Sequence, residues 1–257
     1  MKKIIVITSG KGGVGKTTTS INLGAAINYF GGEVLLIDAN LSTPNIGIHL
    51  NSPEVPINLN HVLAKKADVA EAIYEHESGL KILPSSLSIK ELSKIKPDKL
   101  KNFKEDFKDL ADYIIVDSAA GLGIEARSAI ELADELILVT NPEITAIADA
   151  LKTIKLAEQM KKEIRGIIIT RVRRNKTEMR PETVKEMLEI PILGSIPEDI
   201  TIQKSLNDRD AVIHTDPKSK SARAYKEIAA KLIGAEYNSD KDKERIIKRI
   251  LRKLRRS

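Results

Sequence analysis

The chain has 257 residues, with 42 Lys+Arg against 36 Asp+Glu, three Phe, five Tyr, and neither Cys nor Trp. That length is enough for a full α/β core, and a composition 42% apolar is that of a folded chain rather than a disordered one. The lack of cysteine excludes a disulfide framework, thiolate metal or iron–sulfur sites and a Cys nucleophile, and the histidines, His49, His61, His76 and His214, are too scattered to suggest a metal cluster.

From the start of the chain, Met1–Lys3 leads straight into an apolar run at 4–7 and a glycine loop, a pattern unlike a signal peptide, so the expected location is cytoplasmic. Similar runs rich in Ile and Val follow at 34–37, 80–83, 113–116, 136–139 and 167–169, with a last one at 191–193. They are short and do not alternate, as strands buried on both faces should be. Between them the spacing predicts helices over 16–29, 98–110, 124–132, 144–161, 181–188 and 218–232. Strand–helix alternation of this kind predicts a doubly wound, mostly parallel sheet in a three-layer α/β/α sandwich. The expected organisation is one domain over 1–234, a polar hinge over 235–242 and a basic amphipathic helix over 243–257.

The strongest motif is Gly10-Lys11-Gly12-Gly13-Val14-Gly15-Lys16-Thr17-Thr18, between the first predicted strand and the first predicted helix. It has the Walker A spacing G-x-x-x-x-G-K-[ST] in the strand–loop–helix setting that spacing requires, which makes it a P-loop. Glycines let backbone N–H groups turn toward phosphate oxygens where a Cβ would block them. Lys16 supplies charge to the β- and γ-phosphates, Thr17 offers a hydroxyl to Mg²⁺, and the helix N-terminus adds its positive end.

The string also carries a second lysine, Lys11, and here the chain resembles the MinD/ParA family of deviant Walker A ATPases, most of all its MinD-type branch. The resemblance implies ATP and Mg²⁺ as cofactors and an ATP-dependent homodimer in which Lys11 reaches the partner's nucleotide and stabilises the transferring phosphoryl group, as an arginine finger does. It further implies that Asp38, ending the 34–37 strand, is a switch aspartate followed by a loop with Asn45. Asp117, ending the 113–116 strand before Ser118-Ala119-Ala120-Gly121, has the form of a Walker B acid, so Thr17, Asp38 and Asp117 are the metal-side candidates. Thr140-Asn141-Pro142-Glu143 and Asp149 resemble a segment that approaches the partner's nucleotide, with Pro142 and Glu143 as its contacts. Thr170-Arg171 resembles the strand end beside the adenine, and Pro197, Glu198 and Asp199 the loop closing over the base.

Position 40 departs from the pattern: the family's second switch acid is Asn40 here. An amide can hold a water but cannot take its proton as a carboxylate can. A naturally slow ATPase, a substitution that traps the ATP state, and Asp38 acting alone all fit this. Lys11, Lys16, Asp38 and Asn40 are the catalytic candidates, with intact nucleotide binding and slow turnover expected.

Residues 241–257 hold nine Lys/Arg and two Asp/Glu, so the net charge of +6 divides into +7 in the tail and −1 in the other 240 residues. Ile246, Ile247, Ile250, Leu251 and Leu254 form one apolar stripe on a helical period, flanked by Arg245, Lys248, Arg249, Arg252 and Lys253. A cationic amphipathic helix of this kind is built to lie on anionic lipid, and the resemblance implies the same, since MinD-type members carry such a helix. Docking on its own domain, in a partner's groove or on nucleic acid are the alternatives. The expected protein is thus a MinD-like ATPase that associates reversibly with the membrane and recruits protein partners. A ParA-like partition ATPase, which the near-neutral body disfavours, and a non-hydrolysing scaffold are the other readings.

Overall fold

The computed structural model describes residues 2–52, 55–173, 175 and 177–237. Strands β1 (Lys3–Thr8), β2 (Val34–Ala39), β3 (Tyr74–Glu75), β4 (Lys81–Leu83), β5 (Tyr113–Ser118), β6 (Glu135–Thr140), β7 (Ile164–Val172) and β8 (Ile192–Pro197) form one eight-stranded sheet in the order β3-β4-β2-β5-β1-β6-β7-β8. Every pairing is parallel except that of β3 with β4. The helices are α1 (Lys16–Tyr29), α2 (Ile46–His49), α3 (Leu59–Leu63), α4 (Ile89–Leu92), α5 (Lys104–Lys108), α6 (Ile124–Leu132), α7 (Ile144–Gln159), α8 (Pro181–Leu188), α9 (Ile200–Asn207), α10 (Val212–Thr215) and α11 (Lys220–Ile233).

The two-residue period of a strand decides which core each side chain joins. Ile5, Ile7, Leu36, Ile115, Ile137 and Ile168 point to one face, where α1, α10 and α11 bury Ile27, Val212, Tyr225 and Ile228 against them. Ile4, Val6, Leu35, Ile37, Ile114 and Val116 point to the other, where α3 and α6 contribute Val62 and Ile130 and the stretch before β5 contributes Leu100 and Phe107. A smaller cluster joins Leu138, Ile167 and Ile169 to Ile154 of α7 and Val184 of α8. Both faces of the central strands are covered, hence their unalternating sequences.

The predicted helix over 98–110 is not continuous. Pro97–Phe103 winds as a tighter 3₁₀ stretch before α5 begins. The tighter turn brings residues three apart onto one line, which places Leu100 and Phe103 together, and Phe103 then stacks on Phe107 with ring centroids 6.2 Å apart. The last strand starts at Ile192 and runs to Pro197, later and longer than its three-residue signal suggested. Four residues within the polar 234–242 stretch are described, and they belong to the body. Gly234 closes α11 in the left-handed conformation with φ +71°, and the Tyr237 ring lies edge-to-face on Phe30, centroids 5.8 Å apart. The membrane-helix residues Arg245 to Leu254 lie outside the described residues. Among the described residues no helix is long and apolar enough to cross a membrane.

Phe107 is fully buried between the sheet and the 97–103 stretch. Phe107→Ala is expected to cost about 3–5 kcal/mol of unfolding free energy, measured by urea titration, with secondary structure retained at zero denaturant.

Candidate functional site

The carboxyl ends of β1, β2 and β5 meet at one edge of the sheet, and the loops that leave them surround a cavity of about 680 Å³. Its lining includes Lys11, Gly12, Gly13, Gly15, Lys16, Thr17 and Thr18 from the glycine loop and Asn40, Asn45 and His49 from the segment after β2. A crevice outside the carboxyl ends of a parallel sheet is where doubly wound folds bind ligands.

The glycine loop is shaped by backbone constraints at both ends. Gly13 and Gly15 have φ of +78° and +87°, a region that costs other residues strain. Gly10 rests directly on α7: a Cβ there would sit 2.1 Å from the Asp149 carbonyl oxygen. Thr170, at the end of β7, donates its hydroxyl to the Val14 carbonyl at 2.5 Å, fixing the loop against the sheet. Gly15 immediately precedes α1, so the first N–H groups of a fourteen-residue helix face the cavity.

Beneath the loop, three α1 side chains converge on the fully buried Asp117. The Lys16 Nζ lies 3.3 Å from Oδ1, the Thr17 hydroxyl donates to Oδ2 at 2.5 Å, and the Ser20 hydroxyl is 3.1 Å from Oδ1. Asp38 sits beside it as its register partner in the β2–β5 pairing. The Asp38 carboxylate accepts from the backbone N–H groups of Asn40 (3.2 Å), Asn45 (2.8 Å) and Ile46 (2.9 Å), so it organises the turn that carries Asn40. Burial, and then the neighbouring Asp117, push the Asp38 carboxyl up to about 7, against the pull of those three N–H groups.

Asn40 is turned back into its own loop. Its amide donates to the Thr43 carbonyl at 2.6 Å and accepts from the Thr43 hydroxyl at 3.1 Å. Both polar ends are engaged, so in this geometry Asn40 offers a water no free group. Ser42, in the same loop, is tied through its N–H and hydroxyl to Glu125 of α6.

Lys11 is held apart from the buried cluster. Its side chain is 44% exposed and its only ion pair among the described residues is a 3.8 Å contact with Glu143, which precedes α7. Pro142 accepts from the Met179 N–H through its carbonyl, at 3.0 Å. A second cleft adjoins the cavity, sharing Gly15, Thr18 and Arg171 with it and walled by Pro197, Ile202, Leu206 and Tyr225. Arg171 lies at the junction with a left-handed φ of +55°.

The acids expected over the base divide. The Glu198 carboxylate is paired with the Arg173 guanidinium at the surface. Asp199 caps two helices, accepting from the Thr201 N–H of α9 at 3.1 Å and from the Ser221 N–H and hydroxyl of α11 at 3.2 and 3.0 Å. Its side chain is thereby committed to structure, a correction to its placement as a nucleotide contact. Ser20, Ile202, Leu206, Tyr225 and His49 were not legible as site residues; a serine one turn after Thr17 on the predicted helix was the one signal available, for Ser20.

The donor set suits a metal–triphosphate ligand: inward-facing N–H groups and an ammonium for phosphate oxygens, and two adjacent carboxylates with a threonine hydroxyl for a hard divalent cation. Comparison with known proteins agrees. The AAA domain family profile matches residues 2–169. An uncharacterized ATP-binding protein of Methanocaldococcus jannaschii is 40% identical over 252 residues, covering 97% of this chain and 96% of that protein. The septum site-determining protein MinD of Synechocystis is 33% identical over 241 residues, covering 91% and 90%. Among solved structures, Pyrococcus horikoshii MinD complexed with Mg-ADP superposes with a TM-score of 0.87 at 35% identity, covering 90% of this chain and 96% of that one. MinD in the Aquifex aeolicus MinC:MinD complex superposes at 0.82 and 31% identity, covering 92% and 97%.

The raised Asp38 carboxyl sets a pH dependence of stability. Its folded-state value of about 7 exceeds its ordinary 3.8, so its contribution is full below about pH 4 and is lost as pH rises through 7. Asp38→Asn, which mimics the protonated acid, should therefore gain stability relative to the parent between pH 5 and 7 and hold that gain above pH 7.5. Urea unfolding across this range tests it, and a constant difference removes Asp38 as the titrating group.

Proposed function

The chain belongs to the MinD/ParA family of P-loop ATPases, and from that premise we propose that it is a MinD-like positional switch: ATP joins two copies, the joined copies bind an anionic membrane and recruit partner proteins, and hydrolysis to ADP and phosphate releases them. The task served is spatial, either cell division or the placing of another surface structure, and the location is cytoplasmic with reversible membrane association.

The observation that carries this reading is the division of labour between the two loop lysines. Lys16 is buried on Asp117, whereas Lys11, five residues earlier, stands at the exposed rim in a loose pair with Glu143. A cation at the rim is available to a second copy's nucleotide, as the buried one is not. In this reading the glycine-loop N–H groups from Gly10 to Thr18 and the Lys16 ammonium bind phosphate oxygens, while Thr17, Asp117 and Asp38 hold Mg²⁺ directly or through water. When bound, the ion offsets charge on the phosphates. Arg171 and the cleft walled by Pro197 and Tyr225 receive the base.

Apolar side chains stand exposed on the helices around the cavity: Ile124 at 59%, Ile144 at 58% and Leu122 at 43%. Joining two such faces removes them from water and supports association over a monomeric resting state. Two tails on one dimer then adsorb together, converting weak single binding into strong avidity.

Sizing by light scattering with Mg²⁺ tests the switch. A non-hydrolysable ATP analogue should give a dimer and ADP a monomer, and Lys11→Ala should stay monomeric with both while still binding nucleotide. The dimer should pellet with anionic vesicles, and a chain ended at Tyr237 should dimerise yet remain in the supernatant. A parent chain that is monomeric under saturating analogue defeats the proposal. Separately, Asn40→Asp should raise kcat for ATP about tenfold or more by supplying a proton acceptor, followed as phosphate release.

A further inference from the structure

Hydrolysis requires a group that holds the attacking water and takes its proton, and the obvious groups of this site are otherwise engaged. Asn40 is bound at both ends by Thr43, and the two Asp38 oxygens receive three backbone N–H groups. Glu125 is tied to Ser42, Lys16 to Asp117 and Lys11 to Glu143. His49 remains. It is the last residue of α2, lines the same cavity as Lys16, Thr17 and Asn40, and has a buried Nδ1 with no hydrogen-bond partner. The Asp38 carboxylate fixes its helix, since it accepts from the N–H groups of Asn45 and Ile46 at the start of α2, and the His49 N–H donates to the Asn45 carbonyl at 3.0 Å.

We propose that His49 is the residue that holds the attacking water and accepts its proton, the duty an amide at position 40 cannot perform. This rests on the reading of the chain as an ATPase. The water oxygen bonds to the γ-phosphorus, the bond from that phosphorus to the bridging oxygen breaks, and the electron pair leaves with ADP. The water's proton passes to the imidazole and from there to a phosphate oxygen or solvent. The charged groups around the ring are Asp117 from β5, Lys11 and Lys16 from the glycine loop, Glu125 from α6 and Arg171 from β7. Burial holds the imidazole below its ordinary 6.5, with Asp117 pulling the other way, so the ring is neutral and able to accept at pH 7.

The test is steady-state ATP hydrolysis by the full chain from pH 5.5 to 8.5, comparing the parent with H49Q, H49A, N40D and N40D/H49Q. His49→Gln should lower kcat about tenfold or more with KM nearly unchanged, and remove the acidic limb of the pH profile. Free imidazole should restore part of the activity of H49A, and N40D/H49Q should keep the rate of N40D because the new carboxylate takes over. H49Q with the parent's kcat and pH profile overturns the proposal. So does a loss confined to nucleotide affinity without imidazole rescue, which assigns His49 to packing. A parent chain that binds ATP without turning it over overturns the ATPase reading as well, whereas turnover that survives H49Q overturns the role of His49 alone.

Discussion

One fully buried carboxylate organises the site. Asp117 draws the Lys16 ammonium, the Thr17 hydroxyl and the Ser20 hydroxyl toward the end of β5, and so fixes the first turn of α1 and the loop that feeds it. An acid removed from water this completely is costly unless charge and hydrogen bonds meet it, and those three groups do. Its neighbour Asp38 then has only backbone N–H groups to answer it, and its carboxyl holds a proton far above the ordinary range. Two acids beside one ammonium are short of positive charge, while the N–H groups of the loop above are short of negative charge. A metal-bound phosphate supplies both at once.

The sheet order makes this juxtaposition possible. With β1 at the centre and β5 between it and β2, the glycine loop, Asp117 and the Asp38 turn all emerge side by side from one edge. The same order puts α7 after β6, where its Asp149 carbonyl touches Gly10, and β7 next, where Thr170 reaches the Val14 carbonyl. The loop is braced from two strands beyond the one it leaves, so its shape depends on residues more than a hundred positions downstream.

That dependence separates what could be read from the amino acids from what could not. The glycine loop, α1, α6 and α8 were legible to the residue because their signals are local: glycine spacing, helical period, Pro181 at a helix start. Asp38 and Asp117 were legible as acids ending buried strands. The broken helix before β5 was not, because the choice between 3₁₀ and α winding is settled by how Leu100, Phe103 and Phe107 pack on the far face of the sheet. Asp199 looked like part of a base-binding string, yet its two oxygens cap α9 and α11, and the second of these lies more than twenty residues away in sequence. His49 was one scattered histidine among four until the turn held by Asp38 carried it to the phosphate cavity.

The described chain ends on Tyr237, which is clamped against Phe30 at the end of α1 remote from the glycine loop. Fourteen residues of helix, about 20 Å, separate that clamp from anything held at the phosphate cavity. No lever runs from one to the other through direct touch. A segment departing from Tyr237 therefore learns of nucleotide by headcount, according to whether its neighbour is another copy of itself, and a messenger that counts copies responds steeply to local protein concentration as well as to nucleotide.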